Sequence, residues 1–379
     1  MAKKKKPDPN TKCCELTSEH PKSEAEMMKI FSLDPARWIP QHFKGTMWDT
    51  QQKGGALLTL HAEKIVCKRI MAEELEDAIL SFVKRWVKPL PKKCLPKGAY
   101  KKGKYLAVFG LWDLHLGAYA WNKEVGADWD VDIACHRAMN AIDDIIQELS
   151  LYPIDHIIVP LGGDFLHYDS NRMQTVSGDH HLDCDTRFAR VYLAGLRLVS
   201  YMLERATELC PRIEFLYIPG NHDASTAFTL CAAMQERYRN DSRIGVDLNA
   251  NPRKYRLYGG TLLGFDHGKT PMKQLKLIFA EEAKAYWSAS HYREMQIGHT
   301  HQRRTDHFQG VLPMNGLTIR TNPALCNADF WHHSNGLIGE AMRSMEAYRY
   351  DKIGYRGSHV AWMRDTPHPE AVRLLKELT

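Results

Sequence analysis

The sequence predicts an α/β layered domain, central β-sheets flanked by helices, preceded by a small N-terminal α+β module. Three observations predict it. From Lys104 onward, short apolar runs of strand length alternate with longer amphipathic patterns of helical period. Before them, two strand-like runs flank Lys53-Gly54-Gly55, which reads as a hairpin turn. Between the two regions lies a basic stretch punctuated by Pro89, Pro91 and Pro96.

Residues 1–24 are rich in Lys, Pro and polar side chains and read as a disordered basic tail. Residues 25–88 form the small module. It holds a short helix from Glu24 to Phe31, strands near Trp38–Trp48 and Ala56–His61, and a helix over Ala62–Val87. Residues 89–104 are the linker, and Lys84–Lys104 carries nine basic and no acidic side chains. Residues 105–379 are the main domain. Its expected strands are Tyr105–Leu111, His156–Leu161, Ile213–Ile218, Thr261–Phe265 and Glu294–Ile297. Its expected helices are Asp132–Leu149, Thr186–Leu209, Ala227–Arg239 and Pro271–Ala289.

Composition narrows the function classes. No apolar run approaches the roughly 18 residues that span a bilayer, and nothing at the N-terminus reads as a secretory signal. The nine scattered cysteines suit free thiols in a cytoplasm, a bacterial host's if the chain is phage-encoded. The net charge of +6 is uneven. Residues 1–104 hold 22 basic against 12 acidic side chains, a balance of +10, and the remainder is at −4. Such an arm is a candidate contact for nucleic acid, and equally a solvated tail.

Every polar cluster of interest follows a predicted strand. In chain order they are Asp113-Leu114-His115, Gly163-Asp164-Phe165-Leu166-His167, Gly220-Asn221-His222-Asp223, Asp266-His267-Gly268 and Gly298-His299-Thr300-His301. Loops at the carboxyl ends of strands are where α/β sites are built, so five such loops should converge. Carboxylates, imidazoles and an amide without thiolates suit Mn, Fe, Zn or Co. The ligands outnumber what one ion takes. Two divalent ions ~3.5–4 Å apart can clamp a phosphoryl group, and bound cations lower the pKa of water toward neutrality. The preceding glycines allow the sharp turns that aim these side chains inward.

In this order the five blocks resemble the calcineurin-like metallophosphoesterases, and the resemblance covers roughly residues 104–330. The resemblance implies that fold, two divalent metals (Mn foremost) and phosphoester hydrolysis. It implies that Asp113, His115 and His301 hold one ion, that Asp164 bridges, and that Asn221, His267 and His299 hold the other. His222 would protonate the leaving oxygen, with Asp223 orienting it. The Gly-Asp-x-x-His block is similar to SbcD-type nucleases, which implies a substrate contact for His167 and a nuclease acting on DNA, single-stranded by preference. The module, basic linker and phosphoesterase together look like phage and prophage proteins. Only 78 residues follow His301, fewer than the large capping domain of those nucleases. Lys269 and Arg303 are further candidate phosphate contacts. The alternative activity is hydrolysis of cyclic nucleotides or other small phosphoesters, and a binding protein without catalysis is a third reading. His180-His181 and His332-His333 are expected in loops, and Trp38 and Trp48 in a core.

Overall fold

The computed structural model describes residues 11–33, 38–51, 57–69, 89, 100, 102–174, 181–300, 311–314, 316–328, 330–334, 343–362 and 364–378. The chain divides into two compact units, Met1–Phe82 and Val83–Thr379.

The first unit is a three-stranded antiparallel sheet of β1 (Thr11–Ser18), β2 (Trp38–Gln51) and β3 (Leu57–Arg69), with β3 central. A helix over Glu24–Ile30 starts at a reciprocal Ser23/Glu26 cap and buries Met27 and Met28. Two expectations are corrected here. Part of the predicted tail is β1, whose Glu15 pairs with Lys64 across the ladder. Its composition is polar, yet Cys14 and Leu16 alternate inward onto Ile65 and Cys67. The helix predicted over Ala62–Val87 begins as strand: Glu63, Ile65 and Cys67 are buried at period two, with the charge of Glu63 hiding the alternation. Residues 70–87 of that expected helix, and most of the expected linker, lie outside the described residues. Trp38 packs on the small core, whereas Trp48 is exposed.

The second unit is mixed α/β. Its strands are β4 (Tyr105–Phe109), β5 (Ile154–Leu161), β6 (Ile213–Tyr217), β7 (Ile244–Asp247), β8 (Lys254–Tyr258), β9 (Thr261–Phe265) and β10 (Tyr292–Ile297). They continue with β11 (Val311–Met314), β12 (Leu317–Thr321), β13 (Ser344–Tyr350) and β14 (Tyr355–Trp362). Two sheets result, ordered β14-β13-β4-β5-β6-β7 and β11-β12-β10-β9-β8. β4 to β7 are mutually parallel, as are β9, β10 and β12, and antiparallel strands β14, β8 and β11 form three of the four edges, with parallel β7 the fourth.

The sheets pack face to face. Leu106, Val108, Ile158 and Leu216 of one meet Leu263 and Phe265 of the other. On the far side of the second sheet, Leu262, Met295 and Ile319 meet Leu275 and Phe279 of the helix Met272–Glu282. Helices Val131–Leu149, Phe188–Ala206 and Ala224–Tyr238 contact the first sheet. Alternation along each strand thus sends one set of side chains to the partner sheet and the other to helices. Between the sheets sits a polar island. Arg320 donates twice to Glu294, at 2.7 and 3.0 Å, and Tyr350 and Tyr292 also donate to that carboxylate. The five expected strands and four expected helices are present within a few residues. The last expected helix ends at Glu282, and a separate turn covers Lys284–Trp287. Among the described residues no helix is long and apolar enough to cross a membrane.

Candidate metal centre

Parallel strands present their carboxyl ends on one side, and β4, β5, β6, β9 and β10 each deliver a predicted loop there. The loops are stitched by backbone bonds. His115 N–H donates to Asp164 O at 3.0 Å, Leu116 N–H to Phe165 O, and Gly298 N–H to His267 O at 2.9 Å.

The backbone at this end is strained. Six described non-glycine residues have positive φ, and four of them are Asp113 (45°), His115 (45°), Asp164 (48°) and His299 (69°). Left-handed backbone costs an L residue about 1–2 kcal/mol, and such residues cluster where function holds them. Glycine is required beside them. A Cβ on Gly220 would stand 2.2 Å from both Asp164 N and its Oδ1. One on Gly163, itself at φ +78°, would stand 2.4 Å from His267 Nδ1.

The side chains converge in overlapping groups. Donor atoms of Asp113, His115 and Asp164 lie within 4.8 Å of one another, as do those of Asp164, His267 and His299. Asp164 belongs to both. Its Oδ1 accepts His222 N–H at 2.8 Å, and its Oδ2 is 3.2 Å from His267 Nε2. His267 Nε2 also lies 2.9 Å from Asn221 Oδ1, while its Nδ1 faces the carbonyl of Gly162 at 3.3 Å. All three oxygens only accept, so both ring nitrogens donate here, and Nε2 is the nitrogen turned to the carboxylate and amide oxygens. Asp113 Oδ2 accepts His299 N–H at 2.8 Å.

Electrostatics follow from burying carboxylates together. Asp113 is pushed up to about 7 by burial, with the Asp164 charge adding and His267 opposing. Burial also acts to raise Asp164, but the hydrogen bond and charge of His267 outweigh it and hold this carboxyl at about 2. Burial would depress His267, yet Asp164 lifts it to about 9. His299 is lowered, by burial first and then by His267. Buried carboxylates of this kind require compensating positive charge. The donor set, two carboxylates with imidazoles and an amide oxygen around one shared aspartate, fits divalent cations of the Mn, Fe, Zn or Co type.

Other predicted residues fall as follows. His222 is beside the cluster, its ring 4.7 Å from that of His115. His167, expected near the substrate phosphate, sits against His115. It is buried, its Nδ1 is 3.1 Å from His115 Nδ1, and its donor atom groups with those of His115 and His222. Asp223 does not orient the His222 ring. Its carboxylate accepts the N–H groups of Asp164 (3.1 Å) and Leu166 (2.9 Å) and so fixes the strained Asp164 loop. Its carboxyl is raised to about 8, by burial and then by Asp164. Lys269 is exposed on the rim of a cavity of about 510 Å³ that opens beside Asn221 and His267 and is also lined by Arg253, Asp266, Thr270 and Gln274. His301 and Arg303 lie outside the described residues. His333 is exposed on the short helix Phe330–Ser334 instead of in a loop.

Residues given no role from the sequence also build the centre. The ring of Trp112 lies under Gly162 and Gly298, where a Cβ would approach it to 2.2 and 3.0 Å. Asp266 accepts Gly268 N–H at 2.6 Å and so shapes the His267 turn. A tryptophan between a strand end and an Asp-x-His pair was the available signal for the first. Comparison with protein-family models, curated proteins and solved structures finds no match.

Proposed function

We propose that this chain is a two-metal phosphodiesterase of the calcineurin-like type, acting on nucleic acid, with single-stranded DNA as the preferred substrate. One observation carries the reading: Asp164 is shared by two donor groups whose other members come from three further loops, in the order expected of that family. Asp113, His115 and Asp164 would hold one ion, together with His301. Asp164, Asn221, His267 and His299 would hold the other. Bound there, the ions would neutralise phosphate charge and activate water.

The chain's own residues do the rest. Asp223 holds the Asp164 loop, and Gly162 O holds the His267 ring. His222 keeps a proton on Nδ1 toward His167 O, which leaves Nε2 as the atom that gains or gives a proton to a leaving oxygen. Exposed Lys269 supplies positive charge at the cavity beside Asn221 and His267.

The small-phosphoester reading keeps one supporting observation. The cavity of about 510 Å³ is large enough for a single nucleotide. Hydrolysis with Mn²⁺ of single- and double-stranded DNA, a chromogenic diester and cyclic nucleotides separates the readings. Cleavage of DNA that weakens with salt supports the nuclease. Turnover confined to small diesters moves the alternative to the front.

A further inference from the structure

The loop that carries His115 runs on into an extended segment with an unusual face. Ala118 and Ala120 are buried and bridge Cys184 and Trp129, so the alternate side chains, Tyr119 and Trp121, point outward together. Each is 44% exposed. Tyr119 is four steps along the chain from His115, a reach of about 14 Å at most.

A second segment ties this face to the metal centre. Leu325 and Cys326 donate backbone N–H to the carbonyls of Trp112 and Asp113. Asn327 then donates to Asp128 O at 2.9 Å, and the helix Phe330–Ser334 contacts the helix Asn122–Val125 that Trp121 introduces. Phe330 is 55% exposed. Lys123 Nζ lies 5.5 Å from the Trp121 ring centroid, which puts a cation within the aromatic patch. Exposed aromatic faces interleaved with a cation, beside a phosphoester site, match the chemistry of unpaired bases on a charged backbone.

We propose that Tyr119 and Trp121 form a stacking platform for bases of a single-stranded nucleic acid whose phosphate enters the metal centre. The choice of occupant rests on the phosphodiesterase reading above. The platform recognises π-faces, so it demands unpaired bases and tolerates any sequence. Duplex DNA, whose bases are already stacked, gains nothing from it.

The test is fluorescence anisotropy of the full-length protein with labelled oligo-dT, oligo-U and duplex DNA in EDTA, where binding is read without hydrolysis. Tyr119→Ala and Trp121→Ala should each weaken single-strand binding about 5-fold or more, and the double variant about 30-fold or more. Trp121→Phe should keep most of the affinity, and Tyr286→Ala, an exposed aromatic elsewhere, should keep all of it. A loss on oligo-dT, oligo-U or both supports the platform and identifies the sugar it accepts. Unchanged single-strand affinity, or an equal loss for duplex, overturns it. So does wild-type self-association that the variants abolish, because the face would then be covered by a second copy. Hydrolysis of a chromogenic diester by wild type reports on the catalytic reading separately. Binding through Trp121 without hydrolysis sinks that reading alone, whereas hydrolysis with unaltered binding by the variants sinks the platform alone.

Discussion

The Nδ1 of His222 lies 2.9 Å from the carbonyl oxygen of His167. Because that oxygen can only accept, the imidazole is fixed with its proton on Nδ1 and its Nε2 available for proton transfer. His222→Ala should therefore lower turnover by about 100- to 10,000-fold, the range for loss of a general acid. Metal content measured by mass spectrometry should stay at the wild-type level. Loss of metal would make His222 a ligand, grouped with His115 and His167.

Gly220 is the residue on which the Asp164 carboxylate rests. A Cβ there would overlap both the backbone nitrogen and Oδ1 of Asp164, and backbone atoms cannot swing aside. Gly220→Ala should lose hydrolysis and bind metal weakly while keeping the far-UV circular dichroism of wild type. Near-wild-type activity would mean that the loop is softer than its packing indicates.

How much of this was legible in the sequence follows from the range of the interactions. Each candidate block sits beside its own strand and glycine, so the positions of Asp113, Asp164 and His267 at strand ends are readable locally. The contacts of Asp223 were not, because its partners are backbone N–H groups 57 and 59 residues away. Thr11–Ser18 was missed because only Cys14 and Leu16 turn inward from a polar run. β13 and β14 were missed because their place beside β4 depends on a long-range return to the sheet edge. His167 was read by likeness as a substrate contact, and only the folded loops bring it against His115.

Glu294 and Arg320 form a buried, doubly hydrogen-bonded pair between the sheets. Removing one partner leaves an uncompensated charge among Tyr348, Tyr350 and Tyr355. Arg320→Met or Glu294→Ala should each destabilise by about 3–5 kcal/mol, read from urea unfolding of the full chain. The combined variant should lose less than the sum of the two. Strict additivity would show that the pair does not act as a unit.

Asp143 gives a pH prediction outside the metal centre. Burial acts to raise its carboxyl, but Tyr201, His368 and Arg205 outweigh this and hold it below its ordinary value. A depressed folded pKa means that the unfolded chain binds more protons in that window. The stability it contributes is therefore present above the ordinary Asp value and lost as pH falls through the lower folded one. Asp143→Asn should flatten the acid limb of the wild-type stability curve, measured by thermal unfolding from neutral to acidic pH. An unchanged acid limb would assign the acid sensitivity to other groups.

Asp164 is the side chain on which the account turns, because both donor groups depend on it. The decisive measurement is metal stoichiometry of Mn²⁺-loaded protein together with hydrolysis of a chromogenic phosphodiester, for wild type and Asp164→Ala. Two ions per wild-type chain are expected, with hydrolysis that EDTA abolishes, and loss of both metal and activity in the variant. Wild-type protein that binds no metal, or an Asp164→Ala variant that hydrolyses the diester as fast as wild type, would contradict it.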